Sequence, residues 1–245
     1  MYMKFIEGIK LKLRANKYKT KNDIGGIAYI NSTIEKGQTV FDIGAHKAGY
    51  LYFFVKQVGS KGRVVAFEPQ SNLYQYIKKI KELFKWDNVT LEHLALSDHA
   101  GTVTLYIPTK KAGKGSSPGA TIVDQKGAAN FAKTENVSTE TLDSYCKQHN
   151  IKPDFLKIDV EGNELKLFQG GIETIRKWKP KIIVEIEERH VGKERVMETF
   201  RLMESLGYNG FILHHLNRIP LKDFSFETYQ NAKDMKNYCN NFVFE

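Results

Sequence analysis

The sequence predicts a three-layer α/β fold: a mostly parallel sheet with helices on both faces and an antiparallel strand closing one edge. Three observations carry that expectation. Short apolar runs alternate with segments of helical periodicity along most of the chain. The first two runs, Val40-Phe41-Asp42-Ile43 and Val64-Val65-Ala66-Phe67-Glu68, each carry a carboxylate at or next to the turn that follows. Residues 211–214 and 241–245 read as an antiparallel pair of the kind that closes such a sheet.

The elements follow in order. Residues 50–58 form a helix that turns Leu51, Phe54, Val55 and Val58 inward, and glycines at 59 and 62 lead into the second strand. Residues 71–84 form the next helix, with Ser71 placed to cap it and Leu73, Ile77, Ile80 and Phe84 at three- and four-residue steps. A third strand is expected over 89–96, making a hairpin with 102–107 through Asp98-His99-Ala100-Gly101. Residues 108–136 then lose all periodicity and carry Lys110, Lys111, Lys114, Ser116, Ser117 and Gly119. An irregular stretch of that length reads as a lid-like insertion facing a substrate or as a mobile insertion without a direct role. A helix over 139–149 leads to a strand over 155–160, which presents Asp159 and Glu161. A strand over 181–186 delivers Glu185 and Glu187 to one face, Glu188-Arg189-His190 follow, and a helix over 193–206 stops at Gly207.

Bulk properties bound the protein class. With 245 residues, 41% hydrophobic content and six prolines, the chain can bury one sizeable core. The expected organisation is a basic helical arm over residues 1–30 and one α/β domain over 31–245. Cys146 and Cys239 stand far apart, outside any metal-ligand spacing, which argues for a reducing, cytoplasmic setting without a zinc site or disulfide framework. No apolar run reaches the ~20 residues that span a bilayer, and Lys4 and Glu7 interrupt the start of the chain. The net charge of +9 is uneven: Lys4, Lys10, Lys12, Arg14, Lys17, Lys19 and Lys21 face only Glu7 within residues 1–21. Phe5, Ile6, Ile9 and Leu13 recur there at helical spacing. The arm therefore reads either as a helix packed on the sheet with a solvated basic face, or as an amphipathic helix lying peripherally on an anionic membrane or near a polyanionic glycan.

The strand-end acids point to chemistry. Ligands of open α/β sheets bind beyond the carboxyl ends of the strands, so Asp42, Glu68, Asp98 and Asp159 are expected to face one crevice. Gly44 lets the backbone come close to a ligand, and Glu68, 26 residues after Asp42, is placed to accept both hydroxyls of a ribose. Ala45, His46, Lys47 and Ala48 follow Gly44 and glycine returns only at Gly49, so the usual G-x-G-x-x-G is missing, which argues against a pyrophosphate cradle. A nucleoside without phosphate fits better. S-adenosylmethionine is one, and its ammonium and sulfonium favour an acidic turn such as Asp42.

Four motifs stand in order: Asp42-Ile43-Gly44-Ala45, Phe67-Glu68-Pro69, Ala95-Leu96-Ser97-Asp98 and Lys157-Ile158-Asp159-Val160-Glu161-Gly162. In these the chain resembles the FkbM family of S-adenosylmethionine-dependent methyltransferases over roughly residues 30–190, with Gly170 and Gly171 extending the pattern. One departure is that the family commonly has glycine where Ala48 stands. The resemblance implies a Rossmann-like class I methyltransferase fold. Cofactor-binding residues are then expected at Asp42, Gly44, Ala45, His46, Gly49, Glu68, Pro69, Ser97, Asp98 and Asp159.

Methyl transfer to a hydroxyl asks for an in-line acceptor and a base within hydrogen-bond reach. Asp159, Glu161, Glu185 and His190 are the candidates. The three carboxylates also allow a minor reading in which a divalent metal orients two sugar hydroxyls. The acceptor class the resemblance implies is the hydroxyls of natural products, sugars and lipid-linked glycans, and a carboxylate-rich crevice favours a sugar. Two alternatives stand beside it. An RNA-directed methyltransferase is suggested by the basic arm, but the acids at the crevice speak against nucleic acid. A non-catalytic, membrane-associated module retaining the cofactor fold is the other.

Overall fold

The computed structural model describes residues 2–108, 119–122 and 131–245. It opens with α1 (Tyr2–Lys17), a π-helical turn (Tyr18–Asn22) and α2 (Ile24–Thr33). The α/β alternation follows as β1 (Thr39–Ile43), α3 (Gly49–Val58), β2 (Arg63–Phe67), α4 (Ser71–Phe84) and β3 (Val89–Glu92). Three strands, β4 (Ala95–Leu96), β5 (Gly101–Pro108) and β6 (Phe131–Glu140), precede α5 (Leu142–Gln148) and β7 (Phe155–Ile158). Next come α6 (Glu164–Gln169), α7 (Ile172–Trp178), β8 (Lys181–Glu185), α8 (Glu188–Val191) and α9 (Lys193–Ser205). The chain closes with β9 (Gly210–His214), β10 (Asn217–Pro220), α10 (Phe226–Tyr229) and β11 (Asn241–Phe244).

The main sheet has the order β10-β9-β11-β8-β7-β1-β2-β3. Strands β3, β2, β1, β7 and β8 run parallel, and β11 pairs antiparallel with both β8 and β9. Strand β1 lies between β2 and β7, and Val40, Phe41, Asp42 and Ile43 are buried, as expected for a strand covered on both faces. The parallel strands β1, β2, β7 and β8 therefore end on one rim. One side of the sheet packs Phe41, Phe67, Tyr145 and Phe168 against α5, α6 and α9, and the other packs Val40, Val64, Phe54 and Ile80 against α1 to α4.

The N-terminal segment belongs to that second layer. Leu11 and Ala15 of α1, and Ile27, Tyr29 and Ile30 of α2, sit in the same core as Val40 and Phe54. The helix splits its apolar residues between two faces: Leu11 is fully buried, while Leu13 is 65% exposed. Among the described residues no helix is long and apolar enough to cross a membrane.

Several local expectations are corrected. Ser71 does not cap α4; Gln70 holds the cap position, and the Ser71 N–H donates to Glu135 Oε2 at 3.0 Å. The strand expected over 89–96 breaks at His93, whose ring stacks on Tyr74 at 4.5 Å and whose Nε2 lies 3.1 Å from the Pro69 carbonyl oxygen. Past that break, β4 joins a second sheet ordered β4-β6-β5, so β5 pairs with β6 instead of forming a hairpin with the 89–96 segment. Residues 131–136 of the expected insertion lie in β6, and Thr121 bridges to Tyr106. Its lysines and serines at 110–117 lie outside the described residues. Helix α5 starts later than expected, because Thr139 and Glu140 finish β6 and the Thr141 hydroxyl caps the helix by accepting from the Ser144 N–H at 3.0 Å.

Candidate active site

A cavity of about 310 Å³ opens on the rim between β1, β2, β4 and β7. A smaller polar pocket of about 190 Å³ adjoins it on the side of α1 and β11. Tyr18, Gly44, His46, Asp159 and Glu185 line both and form the junction.

The end that holds Glu68 is built by two consecutive strand ends. The Gly44 and Ala45 N–H groups both donate to the Phe67 carbonyl oxygen at 3.0 Å, fastening the turn after β1 to the end of β2. Gly44 has φ +81°, and a Cβ on it would stand 1.9 Å from the Asp159 carbonyl oxygen, so no side chain fits where these strand ends meet. Glu68 is buried and fixed by the His46 N–H at 2.7 Å and the Gln70 N–H at 2.9 Å. Burial lifts its pKa to about 8, with the two N–H donors and Lys157 pulling the other way and Asp42 adding to the rise. Pro69, Gln70, Leu94, Leu96 and Asn163 complete an apolar and amide wall beside it.

Asp42 occupies a different place from the one its motif suggests. It is fully buried beneath the turn and borders neither pocket; Lys157 Nζ stands 3.7 Å from its Oδ1. Burial raises its pKa to about 6, against the pull of Lys157. Lys157 Nζ also donates to the Gly44 carbonyl oxygen at 3.0 Å, approaches Asp159 Oδ2 at 3.4 Å and lies 5.4 Å from the centre of the Tyr50 ring. Burial works against this ammonium, but Asp159, Asp42 and Glu185 outweigh it and hold its pKa above the ordinary lysine value. Asp42 thus stands behind Lys157, whose bond to the Gly44 carbonyl oxygen ties the turn from below.

Ser97 and Asp98 also lie outside the cavity lining. The Ser97 hydroxyl donates to Asp98 Oδ1 at 3.1 Å, His99 Nδ1 lies 2.6 Å from the same oxygen, and Asn163 Nδ2 reaches the Leu96 carbonyl oxygen at 3.1 Å. The wall that the A-L-S-D motif contributes is made by Ala95 and Leu96. Ala45 and Gly49 line the polar pocket only.

The acidic end gathers Asp159, Glu161 and Glu185. Glu161 sits at φ +53°, a left-handed conformation that costs a non-glycine residue energy and recurs at functional positions. Burial and the nearby Asp159 and Glu187 raise its pKa to about 7, while the Gly119 N–H pulls it down. His190 borders neither pocket; its Nδ1 stands 3.5 Å from Glu161 Oε2, and burial lowers its pKa. Glu185 is pushed well above the carboxylate range by burial and by Asp159, Glu187 and Glu161, and its Oε1 accepts from Asn240 Nδ2 at 2.5 Å. Among the described residues, no group of three His, Cys, Asp or Glu side chains is arranged to hold a metal ion, so nothing there supports the metal reading of these acids.

A family model described as the methyltransferase FkbM domain matches residues 42–213, which span β1 to β9 and carry the glutamates, aspartates and glycines of both ends. This chain belongs to the FkbM methyltransferase family. A methyltransferase FkbM from Methylobacillus flagellatus KT has a similar fold, with a TM-score of 0.55, 13% identity and 96% of this chain covered. This chain spans 58% of that protein's length. A SAM-dependent methyltransferase from Aquifex aeolicus is similar at a TM-score of 0.47, with 16% identity over 96% of this chain and 95% of that one. No curated protein sequence matches the chain significantly. The FkbM match begins at Asp42 and so leaves out α1 and Tyr18, which sequence reasoning also passed over as a site residue. The signals for Lys157 and Gly119 were present, one inside the K-I-D-V-E-G motif and one inside the aperiodic insertion, without a role attached to either.

Proposed function

We propose that this FkbM methyltransferase transfers a methyl group from S-adenosylmethionine to the hydroxyl of a neutral, sugar-type acceptor. The observation that carries this is the lining of the larger cavity. It bears the carboxyl groups of Glu68, Asp159, Glu161 and Glu185 and, among the described residues, no lysine or arginine. Such a surface offers no cation to a phosphate backbone and suits the hydrogen bonds of hydroxyls, which favours a sugar over RNA.

The residues present fit the cofactor. Glu68, held by two backbone N–H groups, keeps oxygen lone pairs for a ribose diol. His46 Nε2 is buried with no hydrogen-bond partner among the described residues, on the wall shared by both pockets. When bound, S-adenosylmethionine supplies an electrophilic methyl on a sulfonium. Glu68, His46, Gly44 and Asp159 are the residues that would hold it.

Glu161 is the base in this account. Its pKa of about 7 leaves a substantial carboxylate fraction at neutral pH to take the proton of an acceptor hydroxyl. His190 positions it. Glu185, whose pKa burial and the neighbouring acids push well above the carboxylate range, borders the same space and can orient the acceptor. The outward face of α1 supports peripheral attachment to an anionic surface where a lipid-linked acceptor would be met: Ile9 and Leu13 are exposed, with exposed Lys10, Lys12 and Lys17 beside them.

The test is formation of S-adenosylhomocysteine from S-adenosylmethionine with a panel of neutral glycosides, nucleotide sugars and short RNAs. The account expects turnover with a glycoside, rising as pH passes through about 7 as Glu161 loses its proton. Turnover confined to RNA, or none with any acceptor by a protein that binds the cofactor, would overturn it.

A further inference from the structure

The polar pocket beside the cavity is walled by the N-terminal segment, through Arg14, Tyr18, Asn22 and Asp23. Its lining mixes cations, Arg14, Lys47 and Lys157, with the acids Asp23, Asp159 and Glu185. Charges of both signs within about 190 Å³ suit a zwitterion better than a neutral sugar or a polyphosphate. An α-amino acid group is such a zwitterion.

Tyr18 is the residue that joins this pocket to the larger cavity from the N-terminal side. It opens the π-helical turn Tyr18–Asn22, closed by the Asp23 N–H donating to the Tyr18 carbonyl oxygen at 3.0 Å. Short π-helical insertions recur at functional sites because they re-aim one side chain. Its ring meets the Tyr50 ring edge-on, with centroids 5.8 Å apart, and Tyr50 in turn carries the Lys157 ammonium on its face. The ring lies where a side chain at position 49 would otherwise be: a Cβ on Gly49 would stand 2.7 Å from Tyr18 Cε2. Its hydroxyl has no hydrogen bond to another described residue although the side chain borders both pockets.

We infer that the N-terminal helix completes the cofactor site, and that the Tyr18 hydroxyl donates a hydrogen bond to the α-carboxylate at the amino-acid end of the cofactor, within the polar pocket. Arg14 stands on the same wall and is steadied by donating to the Lys47 carbonyl oxygen at 2.6 Å and to the Tyr76 hydroxyl at 3.2 Å. This rests on the methyltransferase reading and adds to it a subsite built from residues ahead of the matched family region. Burial raises the Tyr18 pKa, so the hydroxyl keeps its proton and stays a donor at neutral pH.

Two ligands separate the subsite from the rest of the site. S-adenosylhomocysteine has the amino-acid tail; 5′-methylthioadenosine has the nucleoside and sulfur without it. Calorimetric titration of Tyr18→Phe should show S-adenosylhomocysteine binding weakened roughly tenfold or more, the loss of one hydrogen bond to a charged group, with methylthioadenosine unchanged within about twofold. Gly49→Ala, which displaces the ring, should give the same pattern and guards against reading a folding defect as a binding one. Equal affinity for S-adenosylhomocysteine in Tyr18→Phe and wild type, or parallel losses for both ligands, would overturn the inference. A wild type that binds neither ligand would overturn the methyltransferase reading and the inference together.

Discussion

The two ends of the cavity are made in different ways. The end assigned to the nucleoside is local: β1, the turn at Gly44, β2 and Glu68 follow one another within 30 residues and are tied by the Phe67 carbonyl oxygen and the His46 N–H. The acidic end is assembled across the chain: Tyr18, Gly119, the Asp159–Glu161 pair and Glu185 come from four separate stretches of sequence, and Asn240, which holds Glu185, from a fifth. A ribose is the same in every S-adenosylmethionine enzyme, so a short rigid device can serve it. An acceptor differs from enzyme to enzyme, and the long-range end is where such variation can be built without disturbing the first.

The comparison can be broken most severely at the joint between the ends. Gly44→Ala puts a Cβ 1.9 Å from the Asp159 carbonyl oxygen at a positive φ, and should cost ~3 kcal/mol or more of stability, seen as a large drop in melting temperature. An unchanged melting temperature would show that the two strand ends do not close on each other there. Glu161→Gln separates the ends functionally. Turnover should fall roughly 100- to 1,000-fold, the usual worth of a general base, while S-adenosylhomocysteine affinity stays within about twofold. Loss of affinity with turnover would mean that Glu161 serves the cofactor.

How far each end was legible follows from the same contrast. Alternating apolar runs and the strand-end acids sufficed for the parallel sheet and for the position of Glu68 on the cavity wall, because strand, turn and carboxylate are contiguous in sequence. The motif led to Asp42 facing the crevice, whereas its side chain is buried under the turn beside Lys157 and borders neither pocket; a sequence pattern marks the strand end but not which face the side chain takes. The misplaced hairpin has a similar cause. Nothing near 89–108 announces that β6, residues 131–140, will insert between β4 and β5. Tyr18 was hidden because lysines dominate its neighbourhood, and the closeness of its ring to Gly49 exists only in three dimensions.

Smaller effects sharpen the picture through pH. Glu68 carries a proton near neutrality in the free protein, with a pKa of about 8, and ribose hydroxyls would favour its carboxylate. Binding of S-adenosylhomocysteine should therefore strengthen between pH 6.5 and 8.5, by up to ~10-fold per pH unit, with proton release visible as a buffer-dependent calorimetric enthalpy. A flat profile would place the carboxylate away from the diol. Stability should run the other way. Glu164, fully buried, has its pKa raised to about 7 by burial, so the folded protein binds more protons than the unfolded chain above pH ~4.5. Its contribution is lost as pH rises through 7. Melting temperature should fall from pH 5 to pH 8, and Glu164→Gln should flatten part of that slope.

The measurement that bears most directly on the account is titration of S-adenosylhomocysteine into wild type and Glu68→Ala, with melting curves confirming that both are folded. Removing the acceptor of two hydroxyl hydrogen bonds should weaken binding roughly 100-fold. Equal affinities would contradict the assignment of this end to the nucleoside, and with it the division of the cavity on which the mechanism depends.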